Sequence, residues 1–320
     1  MRAVQVTRLD GPDAVEINDI DEPTGEGVIV DVHAAGICFP DVLVTRGQYQ
    51  IKPDPPFVPG SEVAGIVRSA PAGAGVNVGD RVVAFPVFGG FAEVVQVGTN
   101  LVFPLPDAVP LDVGAGLPMN LLTVQFALIR RGRLRAGETV LVHGAAGGIG
   151  VAAIQLASAL GARVIAVTST PAKAEVARAA GADEVVAVDG FKDAVAELTG
   201  GRGVDVVVDP VGGDRMTDSL RSLAVEGRLL VIGFTAGDIP TVKVNRLLLN
   251  NIEVVGVGWG AFWQSDLAYP HTQWSALLPH LEAGLLQPPI GGRFPLERAA
   301  EALTAIDERR ATGKLVLTVR

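Results

Sequence analysis

One stretch constrains this chain more than any other: Val140-Leu141-Val142-His143-Gly144-Ala145-Ala146-Gly147-Gly148-Ile149-Gly150. Three apolar residues predict a buried strand, and the pattern from Ile149 to Leu160 predicts a helix. Between them lies a glycine-rich turn in the strand-turn-helix context of a dinucleotide-binding fingerprint. Ala145, Gly147 and Gly150 stand at its three glycine positions, the first replaced by alanine. Gly147 and Gly148 lack side chains, so backbone amides can approach a diphosphate. The helix start adds unspent donors and a positive dipole end. Ala146, Gly147, Gly148 and Ile149 are therefore candidate cofactor contacts. A tight turn with no ligand is the alternative reading.

Cofactor choice is read at the end of the next strand. NAD sites usually place Asp or Glu there, on the ribose hydroxyls. Here Val167 is followed by Thr168-Ser169-Thr170 and then Lys173, and the next acid is Glu175. Hydroxyls and a lysine suit a 2′-phosphate, so NADPH is expected over NADH, with Thr168, Ser169 and Lys173 as its contacts. Lys173 can equally be read as a solvated helix residue.

The texture of the chain changes along its length. Up to about Pro118, short β-branched runs (Val28–Val32, Ala64–Val67, Arg81–Phe85, Ala92–Val95) alternate with turn signals such as Pro59-Gly60 and Gly79-Asp80. These predict a small barrel or distorted sheet. From about Leu121, near-continuously apolar strands alternate with helical patterns, which predicts a doubly wound parallel α/β sheet. Its strands are expected at 140–142, 164–167, 185–188, 204–208, 229–232 and 252–255. Helices are expected near 149–160, 172–180, 192–198 and 215–223. An aromatic, loop-like stretch is expected after Trp259, then helices near 273–283 and 296–309. A last strand over Lys314–Val319 is expected to return to the N-terminal domain. The resulting division is 1–118 with 265–320, and 119–264.

Composition narrows the functional classes. With 48% hydrophobic and 19% charged residues in a chain of 320, two packed domains are affordable on size and disorder is not indicated. The net charge of -9 disfavours nucleic acid and acidic membrane surfaces as partners. A single cysteine, Cys38, excludes an intramolecular disulfide. No apolar run is long enough to span a bilayer. No signal-peptide pattern is evident at Met1-Arg2-Ala3-Val4, and a cytoplasmic location is expected.

With these residues in hand, the chain resembles the medium-chain dehydrogenase/reductase superfamily, in its zinc-free quinone oxidoreductase (zeta-crystallin-like) branch. The resemblance rests on Gly36-Ile37-Cys38-Phe39-Pro40-Asp41, Pro59-Gly60-Ser61-Glu62-Val63-Ala64-Gly65, Gly79-Asp80-Arg81-Val82, Asp209-Pro210-Val211-Gly212-Gly213 and Gly313-Lys314. It implies a GroES-like, mostly β catalytic domain beside a Rossmann NADPH-binding domain, with the nicotinamide at the base of a cleft between them. Zinc relatives hold their metal with a Cys, a His and a third Cys or acid. Cys38 stands at the first of these positions, Ser61 stands at the histidine, and no second cysteine exists. No metal is therefore expected.

The resemblance also implies roles for particular residues. Tyr49 matches a cleft-lining tyrosine; its hydroxyl is expected to contact substrate or nicotinamide ribose, with simple packing as the alternative. Thr123, Gly212, Phe234, Thr235, Val257, Gly258 and Lys314 are further candidate cofactor contacts. Phe39, Trp259, Phe262 and Trp263 could form a platform for a flat ring, with core or interface packing as the alternative for the tryptophans.

Without a Lewis acid, a substrate that already accepts hydride is needed. Quinones and conjugated enones qualify, because the added charge delocalises onto oxygen. The reading is thus an NADPH-dependent quinone reductase. The alternatives are an enone or enoyl reductase of the same family and a non-catalytic, NADPH-binding crystallin-like or RNA-binding protein. The last apolar strand would leave an exposed edge, so a homodimer is expected.

Overall fold

The computed structural model describes every residue from Met1 to Arg320. The chain divides into two compact units, Met1–Asn120 with Leu267–Arg320, and Leu121–Asp266. In chain order the elements begin with β1 (Arg2–Val6), β2 (Val15–Asp19), β3 (Val28–Ile37), α1 (Phe39–Thr45) and β4 (Glu62–Ser69). There follow β5 (Arg81–Ala84), β6 (Val94–Val97), β7 (Val102–Pro104), α2 (Leu111–Gly114) and α3 (Pro118–Gln125). The middle of the chain holds β8 (Thr139–Val142), α4 (Gly148–Ala159), β9 (Arg163–Thr168), α5 (Pro171–Ala179), β10 (Glu184–Ala187), α6 (Phe191–Leu198), β11 (Val204–Asp209) and α7 (Met216–Arg221). It continues with β12 (Leu223–Val231), α8 (Asn245–Asn250), β13 (Glu253–Gly256) and α9 (Trp259–Trp263). The last elements are α10 (Tyr269–Glu282), β14 (Ile290–Pro295), α11 (Ala299–Asp307) and β15 (Lys314–Thr318).

The first unit is built around β3, whose ten residues serve several partners. Its second half pairs with β15 and its first half with β6, both antiparallel, and β4 runs along its other side. Register shifts between β3 and β4, at Ile29/Val30 and Val32/Ala34, bend the strand. The sheet order is β14-β15-β3-β4-β5-β7, so the C-terminal strand lies beside β3 as the sequence suggested. Its buried residues include Val30, Val32, Ala35, Val63, Val83, Phe103 and Leu317.

The second unit is a doubly wound sheet in the order β10-β9-β8-β11-β12-β13, every neighbouring pair parallel. Leu141, Ile165, Val167, Val207 and Leu229 form its core with Phe191, Val195 and Leu220 from the covering helices. The direction of winding reverses between β8 and β11. Ligands of such sheets bind outside the carboxyl ends of the strands at that switch point.

Some local expectations need correction. The stretch after Trp259 is not a loop but the helix α9, because Trp259 and Trp263 are one turn apart and bury the same side. Phe39-Pro40-Asp41 opens α1. There a proline in the first turn needs no donor, and Asp41 caps the start. The strand read from Ala92 begins only at Val94; Ala92 makes an isolated bridge to Ala3.

Candidate functional site

In the second unit, β8 ends at Val142 and the chain turns through His143 and Gly144, the latter with φ +59°. The Gly147 amide donates to the Gly144 carbonyl at 2.9 Å, which closes the turn. Gly147 then caps α4 without any side-chain bond, and the first helical bond runs from Val151 N to Gly147 O at 2.8 Å. The amides of Gly148, Ile149 and Gly150 therefore have no acceptor within the helix.

The glycines here differ in what they leave open. A Cβ on Gly150 would lie 2.2 Å from the Gly144 carbonyl oxygen, so that glycine serves packing of helix on turn. A Cβ on Gly147 would meet nothing closer than 3.4 Å. The space beside Gly147 is open, and unspent amides stand next to it. That is the cradle a diphosphate needs, and the residues present suit a dinucleotide.

Most of the other candidate cofactor residues of the unit stand at or just beyond the carboxyl ends of its parallel strands. Ala146 is buried, while Gly147 is exposed and Gly148 and Ile149 are partly so. Thr168 is the last residue of β9, followed by exposed Ser169 and by Thr170, whose hydroxyl accepts from the Lys173 amide at 3.3 Å to cap α5. At the end of β11, Asp209 Oδ1 accepts from the amides of Val211 and Gly212, both at 2.9 Å. Gly212 has φ +66°, and a Cβ there would strike the Phe234 ring at 2.9 Å. Thr235 N donates to Pro210 O at 3.2 Å, and Val257 N to Val231 O at 2.9 Å. Gly258 caps α9, and Thr123 lies half-buried on α3. Trp259 and Trp263 are buried, their ring centroids 6.3 Å apart, while Phe262 packs on Phe126 at 5.0 Å beneath the Arg130 guanidinium.

The first unit holds a second polar cluster, almost wholly buried. Lys314, from the start of β15, forms an ion pair with Glu62 Oε1 at the start of β4. Its Nζ also donates to Cys38 Sγ at 3.1 Å, and the thiol donates to Glu62 Oε1 at 3.1 Å. Glu62 Oε2 accepts from the Met119 amide at 2.8 Å. Asp41 Oδ2 accepts from the Cys38 amide at 2.7 Å, completing the cap of α1. Two glycines make room: a Cβ on Gly36 would lie 2.5 Å from Glu62 Oε1, and one on Gly116 2.6 Å from Lys314 Cγ.

Electrostatics follow from this enclosure. Burial pushes the Cys38 thiol well above its ordinary value, and the Glu62 charge adds to that, against the pull of Lys314. Burial raises Asp41 to about 7, opposed by the hydrogen bond from Cys38 N. For Lys314 burial acts downward but is outweighed by its neighbours, so the ammonium is held firmly protonated. With the thiol protonated, the counter-charge of the Lys314 ammonium is Glu62. Tyr49, half-buried after α1, is raised by burial and then by Cys38 and Asp41. Phe39 is partly exposed at the first turn of α1.

This cluster does not suit a zinc ion. The cation between Cys38 and Glu62 is the chain's own ammonium. Ser61 offers only a buried hydroxyl, and no three His, Cys, Asp or Glu side chains converge on one point. Lys314, expected at the cofactor, is instead enclosed by Glu62 and Cys38. The sequence reading missed Glu62 as a partner of Cys38, although an acid at the head of the apolar run Val63–Val67 was a usable signal.

Comparison with known proteins agrees with this architecture. Residues 24–107 match the alcohol dehydrogenase GroES-like domain and residues 148–281 the zinc-binding dehydrogenase family. A rat quinone oxidoreductase-like protein 2 is 40% identical over all of this chain and 92% of its own length. A probable oxidoreductase from Mycobacterium abscessus is 46% identical with a TM-score of 0.92, covering 100% of this chain and 99% of the other. The Escherichia coli quinone oxidoreductase complexed with NADPH is 27% identical with a TM-score of 0.90, and each chain is covered fully. A GroES-like unit joined in sequence to a nucleotide-binding doubly wound unit defines an oxidoreductase architecture. The chain belongs to the medium-chain dehydrogenase/reductase superfamily, in its zinc-free quinone oxidoreductase branch.

Proposed function

We propose that this protein is an NADPH-dependent reductase that delivers hydride to a quinone. The observation that carries the reading is the open cradle at Gly147, with unspent amides at the start of α4 and no acid at the end of β9. The helix start would hold the diphosphate, and Thr168, Ser169 and Lys173 the 2′-phosphate. Gly212, Phe234, Thr235, Val257, Gly258 and Thr123 are proposed as further cofactor contacts, and the bound nicotinamide would supply the hydride. The Escherichia coli relative complexed with NADPH supports this choice.

On the substrate side, Tyr49 is the proposed catalytic contact. Its hydroxyl, raised above its ordinary value, stays protonated and can donate a hydrogen bond to developing oxyanion charge. Phe39 is proposed beside it against a flat ring. Trp259 and Trp263, both buried, are proposed as further substrate contacts. Lys314 is proposed to act on the cofactor only indirectly, through the position of its neighbours. The unpaired edge of β13, preceded by exposed Val244, Leu248 and Leu249, supports a homodimer.

The test is consumption of NADPH and of NADH with 9,10-phenanthrenequinone, benzoquinone and a simple enone, with and without chelator. NADPH-dependent reduction of the quinones, unchanged by chelator, is expected. Turnover of the enone alone would move the assignment to carbon-carbon double-bond reduction. A strong NADH preference would overturn the role given to Thr168–Lys173.

A further inference from the structure

His143 is fully buried at the floor of the switch point, directly before the glycine turn. Its backbone amide donates to Val208 O at 3.0 Å, tying the end of β8 to the end of β11. Its ring lies edge-on to Phe191, with centroids 4.9 Å apart and planes at 87°. The Nε2 atom is 2.9 Å from Ser219 Oγ on α7.

The Ser219 hydroxyl gives its only proton to the Arg215 carbonyl, 3.0 Å away. Toward His143 the hydroxyl oxygen must therefore accept, so the imidazole carries its proton on Nε2. A continuous relay results: His143 Nε2–H to Ser219 Oγ, and Ser219 Oγ–H to Arg215 O. The lone pair on Nδ1 then has no hydrogen-bonding partner, and neither does the buried Nε of Arg215. Buried polar atoms left in this way cost free energy. A leucine would fill the same space without that cost. What the histidine adds is the Nε2–H that fixes α7 to the turn.

The same neighbourhood carries the second loop of the proposed cofactor site. Asp209 orders Val211 and Gly212 from the end of β11, and Arg215, which ends the relay, follows that loop. We propose that His143 is a positioning residue for the dinucleotide: its bond to Ser219 holds the Gly144–Gly148 turn and the Asp209–Arg215 loop in one frame. Neither His143 nor Ser219 touches the cofactor in this scheme. The inference rests on the NADPH reading above and deepens it.

The experiment compares wild type with His143→Leu, His143→Gln, Ser219→Ala and the His143→Leu/Ser219→Ala pair. NADPH affinity is read by fluorescence titration, and KM and kcat by quinone reduction. His143→Leu and Ser219→Ala should each raise the NADPH Kd and KM about tenfold and leave kcat within about twofold, because only the frame of the site is loosened. The pair should be no worse than either single change, since both break one bond. Glutamine can place an amide N–H where Nε2–H stood, so His143→Gln should stay within about threefold of wild type. Wild-type affinity in Ser219→Ala, independent effects that multiply in the pair, or a loss in kcat with KM unchanged would each overturn the proposal. If His143→Leu does not fold, Ser219→Ala and His143→Gln decide on their own. A wild-type protein that binds no NADPH overturns the cofactor reading and this inference with it; binding that is indifferent to the variants overturns this inference alone.

Discussion

At the scale of single residues, the glycine turn separates packing from binding. Gly147 and Gly150 are three apart and look equivalent in a motif. The Cβ distances of 3.4 Å and 2.2 Å to the same carbonyl say otherwise. Gly147→Ala should fold with an unchanged melting temperature yet weaken NADPH about tenfold or more, because the methyl group enters the space proposed for the diphosphate. Gly150→Ala should lower the melting temperature and weaken NADPH together, since α4 must shift off the turn. Calorimetry and fluorescence titration on the pair check this. Equal losses of stability in both would remove the distinction.

At the scale of elements, β15 does more than complete a sheet. It carries Lys314 into the cluster with Glu62 of β4 and Cys38 at the start of α1. Removing one member of a buried ion pair leaves an uncompensated charge, which typically costs about 3–5 kcal/mol. Lys314→Met should therefore destabilise the protein by that order in denaturant unfolding. Adding Glu62→Gln should recover part of the loss, because the stranded carboxylate is gone. A double variant less stable than the single one would mean that Glu62 matters for its other bonds, to Met119 N and Cys38 Sγ. The sequence showed each of these strands; it did not show that their ends meet.

At the scale of the whole molecule, the proposed dimer has a direct measure. Light scattering should give twice the 33.1 kDa chain mass. Replacing exposed Leu248 and Leu249 by glutamate should return it to one chain mass with the circular dichroism unchanged, because both side chains are about three-quarters exposed in a single chain. A single-chain mass for the unaltered protein would remove the dimer. The change in texture near residue 120 separates closely spaced strands from a strand-helix alternation, and it was readable because each sheet type has its own hydrophobic pattern. The short helix at Trp259–Trp263 escaped notice because five residues are too few to show a period.

What the sequence determined by itself was local: the strand, the glycines and the helix from Val140 to Leu160, the missing acid after Val167, and the lack of a zinc ligand set around Cys38. Each is fixed within a few positions, where backbone period and residue type suffice. Only the tertiary structure decided that Lys314 comes to Cys38 across 276 positions and His143 to Ser219 across 76. Such meetings depend on strand order and on which strand ends share a layer. No periodicity within one segment encodes that, because side-chain direction repeats along an element while pairing between elements is set by the packing of the whole core.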